Sequence, residues 1–370
     1  MQPTIFEQLE LWLRGCARRR FWLALALLAL LTFLYCGVGT VPREFYRALA
    51  QDPFKQRTDI HQENYFQESP LLPTLGFVTG WHAPTSFGLL CFAFIAAGFV
   101  YLVRASRRRY GPLWSLLLLA LLLANPVTVV LLSWIGMPDA ITFLVLALML
   151  YVRQGWLIFL LAGLGAYNHP TATFAVPSVL LLRWLARESG LTFRHVATGL
   201  AGVVAGWLAV RVFLNINNIE VVSRAEYIGD RNLLFWIKYN LAHLPVAIFS
   251  LQNIVWFALA ASFLVLLRLD RRYAWTLLGL LVAFYGITFF CLDTTRVFAL
   301  LAWAPAWHCV VHALQRAEQE DVRLRLQLER VLLIVAVIGS LAPTYYMWLG
   351  QVFHREQNAW DVWTWVRSLL

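Results

Sequence analysis

Apolar runs separated by short clusters of arginine recur along nearly the whole chain, and this pattern restricts the fold more than any motif does. A run of roughly 20 apolar residues crosses the hydrocarbon core of a bilayer as a helix, because the backbone N–H and C=O groups must be satisfied within the segment there. The composition agrees: 60% of residues are hydrophobic, 14% are charged and the mean hydropathy is +0.65. A water-soluble globular fold is thereby excluded. The expectation is an all-α polytopic membrane protein with about eleven transmembrane helices, some short or broken. The candidate spans are 21–39, 85–103, 113–134, 140–152, 156–168, 171–186, 196–213, 247–267, 274–291, 297–313 and 331–349. The fourth, fifth and sixth are too short to cross alone, at about 1.5 Å of rise per residue, without tilt, local thinning or re-entrant geometry.

Arginine placement orients these spans. Arg14, Arg18, Arg19 and Arg20 precede the first, and Arg104, Arg107, Arg108 and Arg109 follow the second. Arg153, then Arg183, Arg187 and Arg194, then Arg268, Arg271 and Arg272, then Arg316, Arg323, Arg325 and Arg330 occupy every second connection thereafter. By the positive-inside rule the N-terminus is cytoplasmic and the tail Gln351 to Leu370 lies outside. The formal charge of +10 is spread over these anchors and not gathered on one solvated face, so no nucleic-acid partner is expected. The five cysteines show no CxxC spacing, which indicates neither a zinc site nor a disulfide framework. Phe21 to Gly39 is long for the core of a cleavable signal peptide. Size and arginine-heavy anchors point to the inner (plasma) membrane of a bacterium.

This orientation puts the polar clusters on one, extracytoplasmic face. They are the long loop 40–84, the turn Gly136-Met137-Pro138-Asp139, the break Tyr167-Asn168-His169-Pro170, the loop 215–246 with Arg224 and Arg231, and Asp293-Thr294-Thr295-Arg296. The other face holds arginine anchors and the segment Leu314 to Arg330, whose alternating charge fits a helix lying on the membrane surface. No Gly-rich phosphate loop is present to suggest a cytoplasmic nucleotide site. Plainer roles stand beside the functional ones. Asp139 can cap the helix it opens, worth roughly 1 kcal/mol. His169 can be a loop residue before the break that Pro170 enforces, although polar breaks at membrane depth are tolerated only where they are buried or line a cavity. Asp293 and Arg296 are spaced as a local ion pair, yet an arginine just inside a span is costly and marks a site. His308 and His312, one turn apart, lack a third ligand for a metal, and no metal-binding residue is assigned.

Displacing a phosphate leaving group from a sugar requires a base to take the proton of the incoming hydroxyl and a cation to stabilise the departing phosphate. Loop 40–84 offers Asp59, Asp52, Glu63 and His61, with Glu68 in reserve; Arg296, Arg211, Arg224 and Arg231 offer the cation. Arg43 to Leu49 is amphipathic and suits the outer interface, where a lipid-linked substrate presents its head group.

A cytoplasmic N-terminus, one span, a large acidic first loop, many short spans, a Gly-x-Pro-Asp turn before an apolar run and an arginine at the outer start of a late span together resemble the membrane-embedded GT-C glycosyltransferases. The resemblance covers roughly residues 15 to 350. It implies a GT-C-like transmembrane domain over 1–350 and an inverting transfer outside the cytoplasm. The donor would be a lipid-linked sugar on polyprenyl phosphate, and the acceptor a glycan, lipid or protein. It also implies a catalytic acid at Asp59, or else Asp52 or Glu63, with Arg296, Asp293, Asp139, Asn168, His169, Arg224 and Arg231 toward substrate. The chain departs from the family in having no Asp-x-Asp or Glu-Asp pair in the loop, Asp59 and Glu63 being four residues apart. A divalent cation is therefore left open, and no other cofactor is implied. Two other readings remain: a polymerase or ligase of lipid-linked glycan, and a lipid or solute transporter (flippase) built on the breaks near Pro126, Pro138 and Pro170.

Overall fold

Proline, glycine and short polar breaks set the helix boundaries of this chain. The computed structural model describes residues 15, 19–36, 44–57, 64–222, 233–291, 293–342, 344–348 and 351–354. Its helices are α1 Phe21–Cys36, α2 Glu44–Leu49, α3 Leu71–Thr79, α4 Pro84–Leu123, α5 Pro126–Ser133, α6 Asp139–Met149, α7 Gly155–Asn168 and α8 Thr171–Leu185. They continue as α9 Phe193–Ile216, α10 Leu233–Ala242, α11 Leu244–Gln252, α12 Val255–Leu269, α13 Arg271–Thr288, α14 Thr294–Glu320 and α15 Val322–Leu341. A short antiparallel hairpin, β1 Tyr345–Trp348 and β2 Gln351–His354, follows.

Within α4, Gly111 has φ 81° and ψ 173° and Pro112 follows it, so the helix breaks there. The side chains of Ser106 and Ser115 hydrogen-bond at 2.7 Å across the break. In a straight helix, residues nine apart would be separated by about 13.5 Å along the axis. The two limbs of α4 therefore fold back as a hairpin, and Asn125 and Pro126 break the second limb again before α5.

The count of about eleven spans is corrected. Three helices, Pro84–Leu123, Phe193–Ile216 and Thr294–Glu320, are long and apolar enough to cross a membrane among the described residues. A fourth span arises if Leu234–Ala242 and Leu244–Gln252, bent by 73° to one another, count as one. Breaks at Gly, Pro and Asn cut most of the remaining apolar runs to between 10 and 17 residues; α6, with 11, rises only about 16 Å. The segment Leu314 to Arg330 is likewise not one surface helix. Its first part completes α14, Asp321 interrupts it, and the Asp321 carboxylate accepts from the backbone N–H groups of Arg323 and Leu324 to start α15.

α14 is the hub. In its most apolar stretch 94% of the residues are buried, so neighbouring helices surround it and lipid does not. Around it, polar contacts between helix termini gather at two ends of the bundle. At one end Arg109 meets Glu188, Arg183 reaches the end of α6, Arg272 lies over Trp184 at 5.4 Å and Arg316 reaches the carbonyl of Leu269. Arg109, Arg183, Arg272 and Arg316 thus lie at one end. The other end carries Asp139, Asn168 and Arg296, and the hairpin is seated there: Met347 N–H donates to Thr295 Oγ1 at 2.8 Å, and Tyr345 exchanges two backbone hydrogen bonds with the Asn253 side chain.

α7 and α9 pack at backbone distance. A Cβ placed on Gly206 would overlap the carbonyl oxygen of Gly163 and lie 2.9 Å from Ala166 Cβ. Gly206→Ala should therefore push α9 off α7 and lower stability by about 1–3 kcal/mol, a loss visible as an earlier unfolding midpoint in detergent. An unshifted midpoint would mean that the two helices separate freely.

Candidate functional site

At the Asp139 end, a guanidinium is held between two carboxylates. Behind Pro138, which stands at the N-cap without a side-chain cap hydrogen bond, Asp139 opens α6. It pairs with Arg296 of α14, which donates from Nε to Oδ2 at 2.6 Å and from Nη2 to Oδ1 at 3.0 Å. This fork-to-fork geometry is the strong form of a charge-assisted pair. Arg296 also donates from Nη1 to Asp293 Oδ2 at 3.0 Å and lies over the Trp134 ring at 5.3 Å. Side-chain exposures of 11% for Arg296 and 3% for Asp139 put the pair inside the bundle.

Asn168, fully buried at the end of α7, donates to the Pro138 carbonyl at 2.7 Å and to Thr142 Oγ1 at 3.1 Å, fixing the turn that presents Asp139. Its Oδ1 is buried and accepts no hydrogen bond. His169 takes the role of a local cap, Nδ1 accepting from the Thr171 N–H at 3.2 Å at the start of α8. Asp139, Asn168, Asp293 and Arg296 are therefore brought together, and His169 follows directly.

The electrostatics differ from those of a ready phosphate site. Among the described residues, two carboxylates around one guanidinium leave a net charge of −1, and three of the five arginine N–H groups are committed. Only one N–H on each terminal nitrogen remains for a ligand.

Loop 40–84 is fastened to this same end. Gln67 is buried and ties the loop to itself, donating to the Lys55 carbonyl and accepting from Arg57 N–H. Gln56 exchanges hydrogen bonds with both backbone groups of Glu220, at 2.9 and 2.6 Å. Glu68 pairs loosely with Arg211 at 3.6 Å, and Phe54 packs on Phe213 of α9, which also meets Tyr167 beside Asn168. Asp52 is exposed, its carboxylate accepting from Phe54 N–H in a local turn. Asp59, His61, Glu63, Arg224 and Arg231 lie outside the described residues.

The opposite end holds a second cluster that sequence reasoning missed. Glu188, in the turn between α8 and α9, accepts at Oε2 from Arg183 Nε and Nη2 at 3.3 and 3.1 Å, and Arg109 Nη2 lies 3.3 Å from the same oxygen. His308 Nε2 meets the other Glu188 oxygen at 3.0 Å, while Tyr273 donates its hydroxyl to His308 Nδ1 at 2.7 Å. The chain of contacts is satisfied by a neutral imidazole that donates to Glu188 and accepts from Tyr273. Arg183, with no exposed side-chain surface, also donates to the carbonyls of Met149 and Val152, occupying orphan acceptors at the end of α6. Burial pushes the Glu188 carboxyl up, but the hydrogen bond from His308 and the charges of Arg183 and Arg109 outweigh it and hold the group well below the usual carboxylate range.

His312 does not join His308 on a metal; it contacts Asp270 Oδ2 at 3.0 Å. Among the described residues no three His, Cys, Asp or Glu side chains converge, so a divalent cation finds no donor set among them. The only early signal for the Glu188 cluster was a histidine pair deep in an apolar run. Compared with known protein families, with curated proteins and with solved structures, the chain matches none.

Proposed function

We propose that this membrane-embedded chain is a glycosyltransferase that moves a sugar from a polyprenyl-phosphate carrier to a glycan, lipid or protein acceptor on the extracytoplasmic side. The observation that supports this reading is the fastening of loop 40–84 to the bundle end that carries Asp139, Arg296 and Asp293. A carboxylate-rich loop and a buried cation thus border one polar end of an apolar bundle. In this reading the loop base, Asp59 first and Asp52, Glu63 or His61 after it, takes the proton of the acceptor hydroxyl. The hydroxyl oxygen bonds to the anomeric carbon, the bond from that carbon to phosphate breaks, and the carrier leaves as its phosphate. The negative charge around Arg296 shifts its part: it positions Asp139 and the turn at Pro138, offering at most two N–H groups to substrate. The more open Arg211, 47% exposed, and Arg224 and Arg231 carry the main phosphate contact in this proposal.

Labelled sugar transfer from polyprenyl phosphate in proteoliposomes tests it. The wild type should transfer, and Asp59→Asn should lose about 10²–10⁴-fold in rate, the usual worth of a general base. Unchanged transfer by Asp59→Asn removes that residue as the base. The 73° break between α10 and α11 favours a second reading, transport, since broken helices line many transporter sites. Ligand flux across the vesicle without any transfer by the wild type would select it.

A further inference from the structure

The arginines Arg19, Arg20, Arg104, Arg107 and Arg108 form an exposed patch at the Glu188 end of the bundle, and none is paired with a carboxylate among the described residues. Arg19 and Arg20 directly precede Phe21 of α1, and the other three lie within five residues near the end of the first limb of α4. The two groups are one patch because Arg107 sits with its guanidinium 4.8 Å from the Phe21 ring centre and 5.3 Å from that of Trp22. Among the described residues, the acidic groups of this end are engaged elsewhere. Glu188 is held by Arg183, Arg109 and His308, Asp270 by His312, Glu318 and Glu329 by Arg325, and Glu320 by Arg316. Asp321 caps α15.

Crowded like charges favour an anionic neighbour, and the surroundings say of what kind. Below the patch, Trp22, Leu23, Leu27 and Leu30 of α1 and Val100 of α4 are exposed apolar side chains. An occupant that satisfies both regions has an anionic head and apolar tails. The aromatic floor under Arg107 is the arrangement found where a membrane meets water, and it holds the cation at head-group level.

We propose that this patch is a binding site for the phosphate head group of an anionic glycerophospholipid, with Arg107 fixed by Phe21 and Trp22 and with Arg20, Arg104 and Arg108 closing around the phosphodiester. The ligand is a membrane lipid distinct from the sugar carrier, at the opposite end of the bundle from Arg296.

Lipid binding to the purified full chain, measured by native mass spectrometry with phosphatidylglycerol against phosphatidylcholine of the same acyl chains, tests this. The wild type should prefer phosphatidylglycerol, and that preference should fall about fivefold for each arginine removed in Arg107→Gln and in Arg107→Gln with Arg108→Gln. Arg107→Lys with Arg108→Lys should keep most of the preference, which separates loss of charge from loss of fold. Equal binding of both lipids by the wild type, or an unchanged preference in a folded double Gln variant, overturns the site. So does full displacement of phosphatidylglycerol by millimolar inorganic phosphate, because the tails would then contribute nothing.

Discussion

Arg296→Met should lower the unfolding free energy by about 3–5 kcal/mol, because it leaves the Asp139 carboxylate buried without a counter-charge. The size follows from asymmetry. A buried ion pair gains little over a well-packed apolar pair of similar volume, but breaking it by removing one partner strands a charge. Adding Asp139→Leu to Arg296→Met should therefore recover most of the lost stability, with Asp293 left at 18% exposure and partly hydrated. Denaturant titration in detergent micelles checks both steps. If the single variant is as stable as the wild type, Arg296 is not a structural tie. The stable double variant then isolates function: transfer lost in a fully folded protein would assign Arg296 and Asp139 to the reaction and not only to the fold.

Glu188→Gln is the second large effect. It removes the only carboxylate that pairs with the fully buried Arg183 among the described residues and takes a charge partner from Arg109, so a loss of about 3–5 kcal/mol is expected at neutral pH. The pH dependence has a definite sign. The Glu188 carboxyl is held below its ordinary value in the native state, so its stabilising contribution is complete above the unfolded value of roughly 4.3. It is lost as pH falls from there toward the native value. The stability gap between wild type and Glu188→Gln should thus be constant from about pH 7 to 5 and narrow below about pH 4. A gap at pH 3 equal to that at pH 7 would sink the assignment of the depressed carboxyl to this residue.

Much of the arrangement was legible because a membrane permits few solutions. Charges must sit at helix ends, so Arg104 to Arg109, Arg183 and Arg268 to Arg272 could be assigned to one end from spacing alone, and Asp139, Asn168 and Arg296 to the other. What the sequence could not give was who meets whom. Asp293 was legible as a local ion pair with Arg296, but Asp139 was equally suited to capping or pairing, and that distinction rests on Arg296 arriving from a distant helix to meet it. Glu188 carried no signal of its own because, apart from nearby Arg183, its partners Arg109 and His308 come from α4 and α14, far along the chain. The number of crossing helices was overcounted for a different reason. Apolarity was read from runs, whereas Gly111, Pro126 and the Asn253 turn decide where a helix stops. Asp321 was a readable signal that went unused: an aspartate two residues before an arginine and three before a leucine is a helix start inside a stretch taken as continuous.

Asp139 and Arg296 are 157 residues apart. A ribosome adding about 5–20 residues per second needs roughly 8 to 30 s to make the second after the first. Throughout that interval α6 has been made and the arginine that pairs with its first residue has not. The helix that opens with Asp139 is thus made well before its partner. The buried ion pair can close only after the start of α14 has been made, when most of the chain has been synthesised.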